Sequence, residues 1–128
     1  MRNQSYYHTH LEQKSYYGKH VMIDCKVCNQ SITRLSIVED FITDLVKKID
    51  MIAHGDIIID RFGEGEDAGI SACQLITTSS ITIHTNDEYR DFYLDVFSCK
   101  NFDESIIKDE ITKIFNPQFM NINIMLRG

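Results

Sequence analysis

The chain has 128 residues, 43% of them hydrophobic and 25% charged, and a formal net charge of −6 at pH 7. That length fits one domain able to bury a core without disulfide staples, and the acidic balance argues against a nucleic-acid partner, which needs a basic face. No apolar run is long enough to cross a bilayer and the polar start MRNQSYYHTH lacks the apolar stretch of a signal peptide, so the expected setting is the cytoplasm, away from any membrane, with the cysteines reduced.

Residues 1–17 are polar and tyrosine-rich, with SYY at 5–7 and again at 15–17. They read as a tail, or an arm packed on a partner subunit, ahead of a single domain over 18–128. His8 and His10 form a His-x-His pair; such terminal pairs are ordinarily solvated, and no metal site is expected. From Gly18 a strand KHVMIDC puts Val21 and Ile23 on one face and His20, Met22 and Asp24 on the other. Cys25 and Cys28 then form a CxxC, half of a zinc site with no second pair downstream. The pair ends a strand instead of opening a helix, so buried thiols are expected rather than a redox couple.

Over 35–53, Val38, Phe41, Ile42, Leu45, Val46, Ile49 and Ile52 recur at three- and four-residue spacing, which predicts an amphipathic helix closed by His54-Gly55. The unbroken apolar centre of DIIID (56–60) predicts a strand covered on both faces or central in the sheet. RFGEGEDAG (61–69) lacks the lysine and following helix of a phosphate loop, and its carboxylates would repel phosphate; an acidic lid or ligand-facing loop is expected. Strands follow near 70–77, 80–85 and 91–98, the last two joined by a turn holding Asn86 and Asp87. A second helix starts around Asn101–Asp103, buries Ile107, Ile111 and Ile114, and stops at Pro117. NINIMLR alternates as a last strand. The order β-α-β-β-β-β-α-β gives an α+β fold: a two-layer sandwich of a mainly antiparallel sheet with two helices packed on one face.

Between Ile70 and Cys99 the apolar alternations Ile81/Ile83 and Phe92/Leu94/Val96 surround Ser79, Ser80, His84 and Cys99. Singly, these are turn serines, a hydrogen-bonded sheet histidine and a small buried thiol. Together they place a hydroxyl, an imidazole and a thiol on one sheet, as a catalytic site would.

Their spacing resembles that of the small prokaryotic S-adenosylmethionine decarboxylases, pyruvoyl enzymes that cut their own chain at a serine. TSSITIHTNDE and DVFSC stand in the register of that family's ESHxSIHTWPE and DxFTC, and Gly18-Lys19-His20 and Arg127-Gly128 recur as well. The resemblance implies cleavage between Thr78 and Ser79 into fragments 1–78 and 79–128, with Ser79 becoming a pyruvoyl cofactor that binds substrate as a Schiff base. It implies His84 as the processing base, Ser71 as its helper, Cys99 as proton donor and Glu88 as a ribose ligand. It further implies a homodimer of processed chains acting in polyamine (spermidine) biosynthesis.

The departures bear on substrate. Thr78 replaces a glutamate, Ser80 a histidine, and Asn86-Asp87 the family's Trp-Pro, while the upstream aromatic loop shrinks to Arg61-Phe62 before GEGED. Base–aromatic stacking is worth roughly 1–3 kcal/mol per base, so nucleoside binding weakens unless Phe62 or an N-terminal tyrosine substitutes. Glu64, Glu66, Asp67 and Asp87 meanwhile suit a cationic side chain. An L-ornithine or L-arginine decarboxylase on the same fold is thus an alternative. An unprocessed homologue that only binds a ligand or partner subunit is another.

Overall fold

Period-two alternation carries most of the architecture, because each strand has one apolar side to bury. The computed structural model describes residues 2–128. Residues 2–17 hold a 3-10 turn (Gln4–Tyr6) and a hairpin of β1 (Thr9–Leu11) with β2 (Lys14–Tyr16). There follow β3 (Gly18–Lys26), α1 (Leu35–Lys48), β4 (Ile58–Phe62), β5 (Gly69–Ile76), β6 (Ser79–Asn86), β7 (Asp91–Ser98), α2 (Glu104–Phe115) and β8 (Phe119–Arg127). The last six strands form one antiparallel sheet in the order β4-β5-β6-β7-β3-β8, and the α+β sandwich expected from the sequence is what forms.

Both helices pack on one sheet face. α1 buries Val38, Phe41, Ile42, Leu45 and Val46, and α2 buries Ile107, Ile111 and Phe115, against Val21, Ile23, Ile70, Ile81, Ile83, Phe92, Leu94 and Val96. At the centre the rings of Phe41, Phe92 and Phe115 meet with centroids 4.9–5.7 Å apart. α2 starts where Asp103 accepts a hydrogen bond from the Ser105 amide, and stops at Asn116 in the left-handed region (φ +41°), just before Pro117. Between β5 and β6 the backbones approach so closely that a Cβ on Gly69 would lie 1.8 Å from the Thr85 carbonyl oxygen; only glycine fits there.

Two sequence expectations are corrected. The first helix ends at Lys48, not near residue 53. Asp50 turns left-handed (φ +59°), its amide bonds the Lys47 carbonyl, and the Met51 amide bonds that of Val46, a Schellman closure without glycine. Ile52, counted as core, is 70% exposed. The DIIID strand is neither central nor covered: β4 starts two residues later and lies at the sheet edge, with Ile58 and Phe62 exposed. An apolar run alone does not distinguish a central strand from an edge strand whose outward face awaits a neighbour.

Cys25 and Cys28 are buried free thiols, as expected, and burial pushes them up to about 12 and about 11. His10 is paired with Ser15 through Nδ1 and Oγ at 2.9 Å, and His8 packs edge-on to Tyr17. Lys19 is buried yet satisfied, donating to the Phe102 carbonyl and to Glu104 at 2.5 and 2.7 Å.

Candidate active site

The sheet face away from the helices is where the polar strand positions emerge. Ser71 on β5 and His84 on β6 are direct cross-strand partners, and Ser71 Oγ lies 2.9 Å from His84 Nδ1. That contact leaves Nε2 free, and with Nδ1–H donating to Ser71 the free nitrogen is a base. His84 stacks in turn on Tyr93 of β7, its partner on the other side, with centroids 6.5 Å apart and planes 19° apart.

Ser79, Thr78 and Cys99 gather at the far end of the same strands. Thr77 and Thr78 form the two-residue turn between β5 and β6, and Ser79 Oγ is hydrogen-bonded to the Thr78 carbonyl oxygen, the carbonyl of the bond just before it. Ser79 pairs across the ladder with Ser98, which is fully buried; Thr78 Oγ1 meets Ser98 Oγ at 2.8 Å, and both hydroxyls lie 3.8 Å from Met51 Sδ. Cys99 follows Ser98 and is largely buried. Beside it stands Tyr17, stacked on Phe97 and touched by Tyr6; the charge and hydrogen bonding of Cys99 hold the Tyr17 phenol above its usual pKa. Arg127 lies over the Phe97 ring at 4.8 Å.

The residues singled out in the sequence thus form two groups. His84 is five strand residues from Ser79, about 16 Å. Ser79 follows the helix-side alternation with Ile81, and His84 is on the open side. Within one chain they do not meet.

Phe62 is 56% exposed and lines a small apolar depression with Ile58, Ser71, Ala72 and Cys73, beside the Ser71–His84 pair. Asp87 and Glu88 occupy the β6–β7 turn and line an open groove with Gln30, Thr33 and Glu66. Asp87 Oδ2 pairs with Arg61 at 2.7 Å, while its Oδ1 is buried without a partner. Sequence reasoning missed Tyr93, Lys26 and Asp91 around His84, and Ser98 behind Thr78. The signal for Tyr93 was slight: an aromatic on the polar side of an alternating strand.

A two-layer α+β chain with a Ser-His pair and a serine–thiol cluster set at opposite ends of its central strands is the class defined so far. A family model described as S-adenosylmethionine decarboxylase matches residues 19–128. The S-adenosylmethionine decarboxylase proenzyme of Thermodesulfovibrio yellowstonii is 34% identical over 113 residues, 87% of this chain and 81% of that protein. The proenzyme of the same name from Clostridium botulinum (strain Langeland) is 31% identical over 114 residues, covering 88% and 96%. The crystal structure of the adenosylmethionine decarboxylase from Aquifex aeolicus VF5 superposes with a TM-score of 0.76 at 22% identity, over 88% of this chain and 92% of that one, a likeness of fold. The chain belongs to the S-adenosylmethionine decarboxylase family.

Proposed function

We propose that the chain is a proenzyme that cuts itself between Thr78 and Ser79, converts Ser79 into a pyruvoyl group and decarboxylates S-adenosylmethionine for polyamine synthesis. The observation that carries this reading is the place of Ser79, the first ladder residue after the Thr77–Thr78 turn and opposite Ser98, in a chain whose residues 19–128 match the S-adenosylmethionine decarboxylase family. Ser79 Oγ adds to the Thr78 carbonyl carbon, the Ser79 nitrogen leaves as an amine, and an ester replaces the amide. A base then removes the Ser79 α-proton, the Thr78 carboxylate departs, and water releases ammonia from the dehydrated residue to leave a ketone.

His84, with Nδ1 tied to Ser71, is the base. Since His84 and Ser79 are about 16 Å apart along the strand and proton transfer needs about 3 Å, the His84 that serves a given Ser79 comes from a second copy. A two-fold dimer supplies each site in this way. The open sheet face suits that contact: besides His84 and the half-buried Tyr93 stacked on it, the same face carries half-buried Met22 and Phe97 and exposed Leu75 and Met125.

The residues around Ser79 fit a pyruvoyl group, for the Thr78 and Ser98 hydroxyls beside it are donors suited to a ketone oxygen. Once formed, that group supplies the electron sink for loss of CO2 from an amine-bearing substrate. Cys99 returns the proton. Phe62 and Glu88 hold the substrate, Phe62 by its exposed ring near His84 and Glu88 by its carboxylate.

One observation favours a second substrate. The groove at Asp87 and Glu88 is lined by three carboxylates, of which only Asp87 is paired with an arginine, and by no aromatic ring, which suits the cationic side chain of ornithine or arginine better than adenine. CO2 release from purified protein on S-adenosylmethionine, ornithine and arginine decides between them. Ser79→Ala should abolish cleavage and activity together; Ser79→Ala protein that still decarboxylates refutes the mechanism.

A further inference from the structure

The Ser71–His84 pair has a third member that the proposed reaction leaves unexplained. Tyr93 lies between His84 on β6 and Lys26 on β3, so its ring is engaged from both neighbouring strands. On one side the imidazole stacks on it, 6.5 Å between centroids. On the other, Lys26 Nζ lies 4.6 Å from the ring centroid and donates hydrogen bonds to the Tyr93 hydroxyl and, at 3.2 Å, to Asp91 Oδ2. The hydroxyl itself donates to the same Asp91 oxygen at 3.3 Å. The phenol is thereby pinned at its oxygen by a cation and a carboxylate. Held to Tyr93, chiefly by that hydrogen bond, the Lys26 ammonium is harder to deprotonate than usual.

An imidazole with one hydrogen bond at Nδ1 can still swing about that bond. A stacked ring held in place by two further residues removes that freedom and fixes the direction of the Nε2 lone pair. Tyr93 is a poor platform for a substrate base, since both of its sides are already occupied. We infer that Tyr93, clamped by Lys26 and Asp91, is a positioning residue that fixes the plane of the His84 imidazole for removal of the Ser79 α-proton. This rests on the reading of His84 as the base of self-scission.

Precursors carrying Tyr93→Ala, Tyr93→Phe, His84→Ala and the Tyr93→Ala/His84→Ala pair test it, followed by intact mass over time with and without hydroxylamine, which breaks esters but not amides. Tyr93→Ala should cleave itself about 10- to 100-fold more slowly than the parent, the scale of a misaimed catalytic group. Its uncleaved chains should accumulate as an ester that hydroxylamine splits between Thr78 and Ser79, the stage at which His84→Ala stops. Tyr93→Phe keeps the stack, loses the pin and should fall between parent and Tyr93→Ala, and the double variant should behave as His84→Ala alone.

Tyr93→Ala cleaving at the parent rate while His84→Ala stalls overturns the inference and leaves the base reading intact. So does an uncleaved Tyr93→Ala chain without the hydroxylamine-sensitive ester, the mark of a merely structural residue. His84→Ala cleaving normally removes the base reading itself. If Tyr93→Ala does not fold, Tyr93→Phe decides: parent-like cleavage there overturns the clamp.

Discussion

Two crippled precursors should rescue each other. Ser79 and His84 are five strand residues apart and on opposite sheet faces, some 16 Å at about 3.3 Å per residue, where proton abstraction needs about 3 Å. No rotamer of either side chain spans that gap, so a chain lacking one of them can be completed only by a neighbour that keeps it. A Ser79→Ala chain offers His84 but nothing to cleave; a His84→Ala chain offers Ser79 but no base. Co-expressed in equal amounts and pairing at random in two-fold dimers, about half of the His84→Ala chains acquire a Ser79→Ala partner, so about a quarter of all chains should be cut. Differently sized tags on the two chains and a denaturing gel read the result, with every cut fragment carrying the His84→Ala tag. Each variant expressed alone should stay whole. Mixed protein that dimerises yet remains uncut, or His84→Ala protein that cleaves without a partner, would refute the reasoning.

Cys99→Ala should leave self-cleavage largely intact but reduce CO2 release by about 10²- to 10⁴-fold, the range for loss of a positioned proton donor, as read by gel and by ¹⁴CO2 capture on one preparation. Cys25 and Cys28 are buried and held protonated to about 12 and about 11, so iodoacetamide at mildly alkaline pH should spare both in the native protein while it labels half-buried Cys73; peptide mass mapping checks this. Burial is the largest single influence on the Glu104 carboxylate and works against it, but the hydrogen bond from Lys19, a backbone hydrogen bond and the Lys19 charge together outweigh it and leave the pKa below its usual value. A lowered folded-state pKa means stability that is present above the unfolded value, about 4.3, and is lost as pH falls through the folded one. Glu104→Gln strands the buried Lys19 ammonium, and because Glu104 is a third exposed it should cost about 1–2 kcal/mol at neutral pH. Urea titrations should show that difference shrinking below pH 4; a constant gap across pH would contradict the linkage.

Much of the sheet was legible in the sequence because alternation is a local signal: Ile81/Ile83 and Phe92/Leu94/Val96 needed only their own neighbours to declare a buried side. What failed was information held elsewhere in the chain. Ile58 and Ile59 read as interior because an apolar pair looks the same at an edge, and the end of α1 was read from Gly55 when Asp50 turns the chain without glycine. The candidate site divides in the same way. Ser79, His84 and Cys99 stood out by spacing, and the Ser71–His84 contact found in the structure joins two residues already named. The Lys26–Tyr93–Asp91 cluster was invisible, since it assembles only when β3 and β7 come into register 67 residues apart in the chain. The gap between Ser79 and His84 was readable in principle: five is an odd number, and odd steps along a strand change sides.

The order in which the strands sit side by side has a consequence for any molecule severed after Thr78. The leading piece owns β3, β4 and β5 and the trailing piece β6, β7 and β8, yet the spatial sequence is two strands of the first, two of the second, one of the first, one of the second. The halves are braided: β3 is gripped on both flanks by its counterpart's strands, and neither half can slide away without unzipping ladders at three seams. The scission falls where the turn meets β6, between the unpaired Thr78 and Ser79, the first ladder residue of that strand, so such a break would free new chain ends while leaving the two pieces inseparable short of unfolding.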